Sequence, residues 1–182
     1  MKKLKIDLDE LQKAMEDTTR EAFDYFLDKE TGEIIILSED ILGKARQILL
    51  HELDEDMTEY EEVEFDEPPD FPDWMEDEVE LALDIFLNEE ERYARVPERE
   101  AAAGFRAMNG FAEGLDDARL RESLLEILDG PGAFRRFKDA LDPHPRLKKL
   151  WYGYNAKAAR DEMKAWLQSL SIEGIGADSQ RR

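Results

Sequence analysis

There is no cysteine in this chain. Disulfides, thiolate metal sites and cysteine nucleophiles are therefore excluded. Histidine is nearly absent too. His51 and His144 are the only two, no HExxH pattern occurs, and neither has a partner at metal-ligand spacing. No stretch approaches the roughly 20 apolar residues of a membrane-spanning helix. The opening MKKLKIDLDE places charges where a secretory signal needs an apolar run. Neither GxxxxGK[ST] nor GxGxxG is found, and none of the serines sits in a GxSxG setting. The most informative absence is of positive charge, because the 45 residues from Gln47 to Glu91 contain no Lys or Arg. Together these gaps point to a cytoplasmic protein that uses no membrane, calls for no cofactor or metal, and is an interaction protein rather than an enzyme.

What is present is acid. The chain carries 46 acidic and 25 basic side chains, a net charge of −21. Residues 1–91 hold 32 acidic and 8 basic side chains, whereas residues 92–182 hold 14 and 17. A surface as acidic as the first half repels nucleic-acid phosphates over about 10 Å at 0.1 M salt and attracts a basic protein surface. Carboxylate pairs are so common in it that none stands out as an acid–base or two-metal centre.

The patterning predicts an α+β protein: an N-terminal helix and β-hairpin followed by a mostly helical C-terminal half. Lys3–Ile6 reads as a short strand. Asp7 reads as the cap of a helix carrying Leu8, Leu11 and Met15. The hairpin is centred on Asp28–Gly32, with the glycine suited to a positive φ. A calcium loop on Asp28, Glu30 and Glu39 is rejected, because the glycine is one position early and isoleucines fill the second half. Asp40 opens a helix with Ile41, Ala45, Ile48 and Leu49 inward. Trp74 is expected to begin a strong helix with its ring in the core, and Arg92–Val96 to form a third strand. Pro97 suits the first turn of the next helix. Asp116 or Asp117 caps another, and Gly130 is its expected stop. Helices over Ala133–Leu141 and from Arg146 to Leu170 complete the pattern. The domain expectation is an N-terminal part over 1–50 and an acidic linker over 51–73, with a short strand near Val63–Phe65. A helical part over 74–170 and a disordered tail over 171–182 follow, all within one domain.

From Pro97 onward the chain resembles uncharacterised protein family 0158, a bacterial family without an established activity. The resemblance rests on Met108 and Phe111, on GAFRRFK at Gly132–Lys138, on WYGY at Trp151–Tyr154 and on AWL at Ala165–Leu167. Thr31-Gly32-Glu33 in the hairpin is similar to the family's N-terminal part. The resemblance implies a bacterial cytoplasmic domain and assigns no catalytic residue.

Two candidate surfaces follow from the residues themselves. The acidic run from Glu52 to Glu91 suits a basic protein partner. In GPGAFRRFKDAL, helical spacing puts Phe134, Phe137 and Leu141 on one buried stripe, leaving Arg135 and Arg136 off it and Lys138 at its border. A glycine turn before a helix leaves orphan N–H donors. Gly132, Arg135, Arg136 and Lys138 can therefore hold a phosphate, nucleotide or RNA backbone. The competing expectation is that the arginines pair with the protein's own carboxylates. Trp151 and Tyr154 read as core. Tyr152 points away as an exposed aromatic among basic residues, the arrangement that stacks on single-stranded nucleic acid. The near-neutral C-terminal half supports nucleic acid only weakly. A third arrangement has the acidic segment folding over these basic patches as a competitor.

Overall fold

The structure is a computed structural model that describes residues 1–57 and 71–176, the side chains of 53–57 excepted. The architecture is α+β. The elements run β1 (Lys2–Ile6), α1 (Leu8–Glu16), β2 (Phe23–Asp28), β3 (Ile34–Ser38) and α2 (Glu39–Met57). A 3-10 turn (Asp73–Met75), α3 (Glu76–Leu87) and β4 (Tyr93–Arg95) follow. Then come α4 (Ala101–Glu113), α5 (Ala118–Leu128), α6 (Ala133–Leu141), α7 (Pro145–Ser169) and β5 (Ile172–Gly176). The chain divides into two units: Lys2–Glu98 with Gly174–Arg182, and Arg99–Glu173 with Met1.

In the N-terminal unit, β1 lies beside β5 in a two-stranded sheet. Asp7 caps α1, accepting hydrogen bonds from the N–H groups of Asp9 and Glu10 at 3.0 Å each. The hairpin forms as its sequence predicts, with Phe23 opposite Ser38 and Leu27 opposite Ile34. In its turn Asp28 Oδ1 accepts from the N–H of Glu30 at 2.7 Å, and Gly32 takes a φ of +83°. A Cβ on Gly32 would sit 2.1 Å from the Lys5 carbonyl oxygen, so only glycine fits there. β4 pairs with the other edge of β2, giving the order β3-β2-β4. Phe26, Leu37 and Tyr93 then pack with Ile41, Leu42 and Ala45 of α2 and with Val79, Ala82 and Ile85 of α3. Burying each Leu, Ile, Val or Phe side chain stabilises the fold by about 1.5–3 kcal/mol.

Four expectations are corrected here. Trp74 is not in the core but 73% exposed. The residues before α3 form a tighter 3-10 turn, which buries Met75 and rotates its neighbour outward. The expected linker over 51–73 is helical in its first residues, because α2 continues to Met57. The strand expected at Val63–Phe65 lies outside the described residues. Pro97 does not start a helix. Val96 is buried and donates its N–H to the Tyr25 carbonyl at 2.8 Å, so Pro97 ends the strand region and α4 begins after Glu100. Of the tail expected over 171–182, Ile172–Gly176 is a strand with Ile172 buried, and 177–182 lie outside the described residues.

In the C-terminal unit, Asp117 caps α5 by accepting from the Leu120 N–H at 3.1 Å. α5 ends at Leu128 with Asp129 as its C-cap and Gly130 just beyond, as expected, and Gly132 takes a left-handed backbone (φ +69°) as the N-cap of α6. α7 runs unbroken through Gly153, with Pro145 in its first turn. The core joins Met108 and Phe111 of α4, Leu124 and Leu128 of α5, Phe137 and Leu141 of α6, and Trp151 of α7. Phe137 meets Trp151 edge-on at 5.0 Å and Phe111 at 6.3 Å between ring centres. Arg99, the first residue of this stretch, grips α7 through Glu162 at 2.9 and 3.1 Å and Asn155 at 2.9 Å.

Candidate functional site

The basic segment predicted as a site begins at the α6 N-terminus. Gly132 supplies no side-chain cap, so the first N–H groups of α6 meet no capping side chain. Arg135 and Arg136 are both exposed. Arg135 Nε lies 3.8 Å from Asp139 Oδ2, a loose pair in which both side chains are well solvated, at 90% and 64% exposure. Such a pair is worth about 0–1 kcal/mol. Arg136 curls back over the turn, with Nη1 2.9 Å from where a Cβ on Gly130 would stand. Neither guanidinium is buried against a carboxylate. Lys138 stands apart in the last turn of α6. Tyr152 is 56% exposed on α7, and its basic neighbour Lys148 is engaged with Asp142 at 2.5 Å.

The aromatic stripe needs correcting. Phe137 and Leu141 are buried, but Phe134 is 41% exposed and Tyr154 42%. Each covers a glycine of α4, and Tyr154 also meets the core edge-on at Phe111 (5.6 Å) and stacked beside Trp151 (6.5 Å). Phe134 Cε1 would lie 3.2 Å from a Cβ on Gly104, and the Tyr154 hydroxyl 2.6 Å from one on Gly110. Both rings also keep an open edge.

A second feature lies in the N-terminal unit. A cleft of about 780 Å³ opens between α1 and the hairpin. Its walls carry the carboxylates of Asp7, Asp9, Glu10, Glu16 and Asp17, with Lys13 as the one cation. Its apolar floor is Ala14 with Tyr25 and Ile36, which are direct cross-strand partners. Ile36 is 50% exposed. Asp17 is fixed by hydrogen bonds from the Thr19 hydroxyl and N–H at 2.6 and 2.8 Å and from the Tyr25 hydroxyl. The Thr19 hydroxyl, then that of Tyr25, lowers the Asp17 pKa to about 2. The same contact with Asp17, aided by burial, raises that of Tyr25. Asp17 thus keeps its negative charge across the neutral range.

Two buried carboxylates frame the hairpin. Asp24 receives Arg20 Nη1 at 2.8 Å and Arg95 Nε at 2.6 Å. Asp28 receives Arg92 at 2.8 and 3.2 Å. Burial pushes the Asp28 pKa up, but the hydrogen bonds from Arg92, Glu30 and Thr31 prevail and leave it lowered. These groups hold the strands, and Arg92 occupies the one buried carboxylate of the turn. Among the described residues, no three His, Asp or Glu are grouped to hold a metal ion, and no helix is long and apolar enough to cross a membrane.

Residues 70–179, from just before the 3-10 turn to just beyond β5, match the family model described as Uncharacterised protein family (UPF0158). The chain belongs to this family. No curated protein and no solved structure matches it. The UPF0158 match takes in GAFRRFK, WYGY and AWL, the motifs that carried the resemblance, while Thr31-Gly32-Glu33 falls outside the matched residues. In this UPF0158 protein the acidic cleft likewise lies on residues 7–36, before the match begins. Sequence reading missed the cleft because it searched for acid by density, between Glu52 and Glu91. The available signal was periodicity: Asp9, Lys13 and Glu16 recur at one-turn spacing, as do Glu10, Ala14 and Asp17.

Proposed function

We propose that this protein is a non-enzymatic interaction module that binds a basic protein partner through its N-terminal unit. The observation that carries the proposal is the α1–hairpin cleft, lined on the α1 side by five acidic residues and one lysine and on the hairpin side by Tyr25 and Ile36. The wider charge supports it, since residues 2–98 hold 33 acidic and 10 basic side chains. A single exposed ion pair contributes about 0–1 kcal/mol, so affinity here rests on many pairs together and on the apolar contact beneath them. Capture of basic proteins across a salt series tests the proposal. Partners are expected to be retained at about 0.1 M salt and released near 1 M, as the screening length falls from about 10 to about 3 Å. Retention that ignores salt, or none at low salt, overturns it.

A second reading places an anion such as phosphate, nucleotide or RNA at Gly132, Arg135 and Arg136. The uncapped α6 N-terminus beside two solvated guanidinium groups favours it. Unchanged nucleotide and RNA binding in the Arg135→Ala, Arg136→Ala double variant refutes it.

A further inference from the structure

The three-stranded sheet has two edges, β3 and β4. Natural proteins defend an edge with charge, proline, a bulge or brevity. β4 is three residues long and bears Arg95, whose side chain is 62% exposed. β3 has none of these defences. It is five residues, Ile-Ile-Ile-Leu-Ser, without charge or proline, and among the described strands it pairs with β2 alone. It is also the strand whose Ile36 floors the acidic cleft, half-exposed at 50%.

Resting on the proposed partner class, we infer that β3 and the cleft form one docking site for an extended basic segment of the partner, added as a further strand along β3. A strand beside β3 presents every second side chain to the face that carries Ile36 and Tyr25. Lysine or arginine suits those positions. Its methylene stem lies over the apolar floor, and its charged end reaches the carboxylates on the α1 wall, Asp9, Glu10 and Glu16 among them. Backbone hydrogen bonds to the open edge supply affinity without sequence preference. The wall of acids then selects a period of two in positive charge, which a merely acidic surface does not do.

That period gives the test. Two synthetic peptides of equal composition are titrated into the full-length protein, one alternating Lys-Thr-Lys-Thr-Lys-Thr-Lys-Thr and one blocked Lys-Lys-Thr-Thr-Lys-Lys-Thr-Thr. The alternating peptide is expected to bind at least tenfold more tightly and to protect β3 amides from hydrogen exchange. Ile36→Lys is expected to weaken it at least tenfold. Ile36→Thr, which keeps β-branching on a half-exposed site, guards against a folding artefact and is expected to weaken it in the same direction. Equal affinity for the two peptides, no protection of β3, or binding untouched by both Ile36 variants overturns the inference. Salt-sensitive capture of basic partners that survives in Ile36→Lys overturns this site alone and leaves the broader proposal standing.

Discussion

Replacing Phe137 by alanine tests the reasoning about the GAFRRFK segment most directly. Its ring has no exposed surface and meets Trp151 at 5.0 Å and Phe111 at 6.3 Å, inclined 70° and 75° to them. Truncating a buried Phe costs about 3–5 kcal/mol, through lost transfer energy and the cavity left behind. The two edge-to-face contacts, worth about 0.5–1.5 kcal/mol each, place the expectation near 4 kcal/mol. Against a typical total of about 5–15 kcal/mol, that is a large part of the stability. Phe134, two-fifths exposed over Gly104, offers the internal comparison. Its truncation is expected to cost about 1 kcal/mol, roughly half of a full burial. Urea unfolding followed by tryptophan fluorescence reads both variants, because Trp151 and Trp166 lie in this unit, and Trp74 is already solvated. If Phe137→Ala does not fold, Phe137→Leu keeps the comparison, at about 1.5 kcal/mol or less. Equal losses for Phe134→Ala and Phe137→Ala would refute the division of this segment into one anchor and one cover.

Gly32→Ala is expected to lower stability by about 2 kcal/mol or more, from a left-handed backbone and a clash with the Lys5 carbonyl; an unchanged melting temperature counts against that geometry. Asp28→Asn is expected to cost about 1.5–3 kcal/mol in urea unfolding, since it disrupts the charged hydrogen bonds that a buried carboxylate receives from the partly exposed Arg92; a change under about 0.5 kcal/mol, the size of an ordinary surface substitution, contradicts it. The Asp17 pKa falls from 3.8 unfolded to about 2 folded, so its contribution is complete above the unfolded value and is lost as pH falls through the folded one. Asp17→Asn should therefore destabilise the protein at pH 7, by a gap that narrows as pH falls below 3.8 and closes below about 2; a gap that does not narrow with acid rules this out.

Local chemistry was legible where one residue decides one conformation. Asp7 and Asp117 cap their helices, Gly32 turns the hairpin, and the hydrophobic spacing of α2 places Ile41 and Ala45 inside with Ile48 packed against them. The failures came where tertiary packing outweighs spacing. Phe134 and Tyr154 have the helical phase of core residues, yet each is drawn to a glycine on α4 that spacing along their own helices does not reveal. Trp74 fails because a 3-10 turn changes the angle between successive side chains. The C-terminal strand fails because Ser-Ile-Glu-Gly-Ile-Gly has little strand propensity, and β1, its partner, is some 170 residues away in the sequence. For the site, Arg135, Arg136 and Tyr152 are exposed as their spacing predicted. Only the α1 wall of the cleft is legible, in the one-turn spacing of its charges, because the other wall joins two strands to a helix that precedes both.

β3 and β4 flank the same strand, although the chain between them runs through α2, the 3-10 turn and α3. That excursion is fastened at both ends: Glu39 donates to the Ala22 carbonyl at 2.8 Å, and Lys29 donates to the Arg92 and Glu90 carbonyls at 2.8 and 2.6 Å. α2 and α3 seal it with a shared apolar core. Because β4 reaches its place beside β2 only after the chain has passed through α2 and α3, and both helices pack on the sheet, the sheet and these helices form one cooperative unit that is gained or lost together.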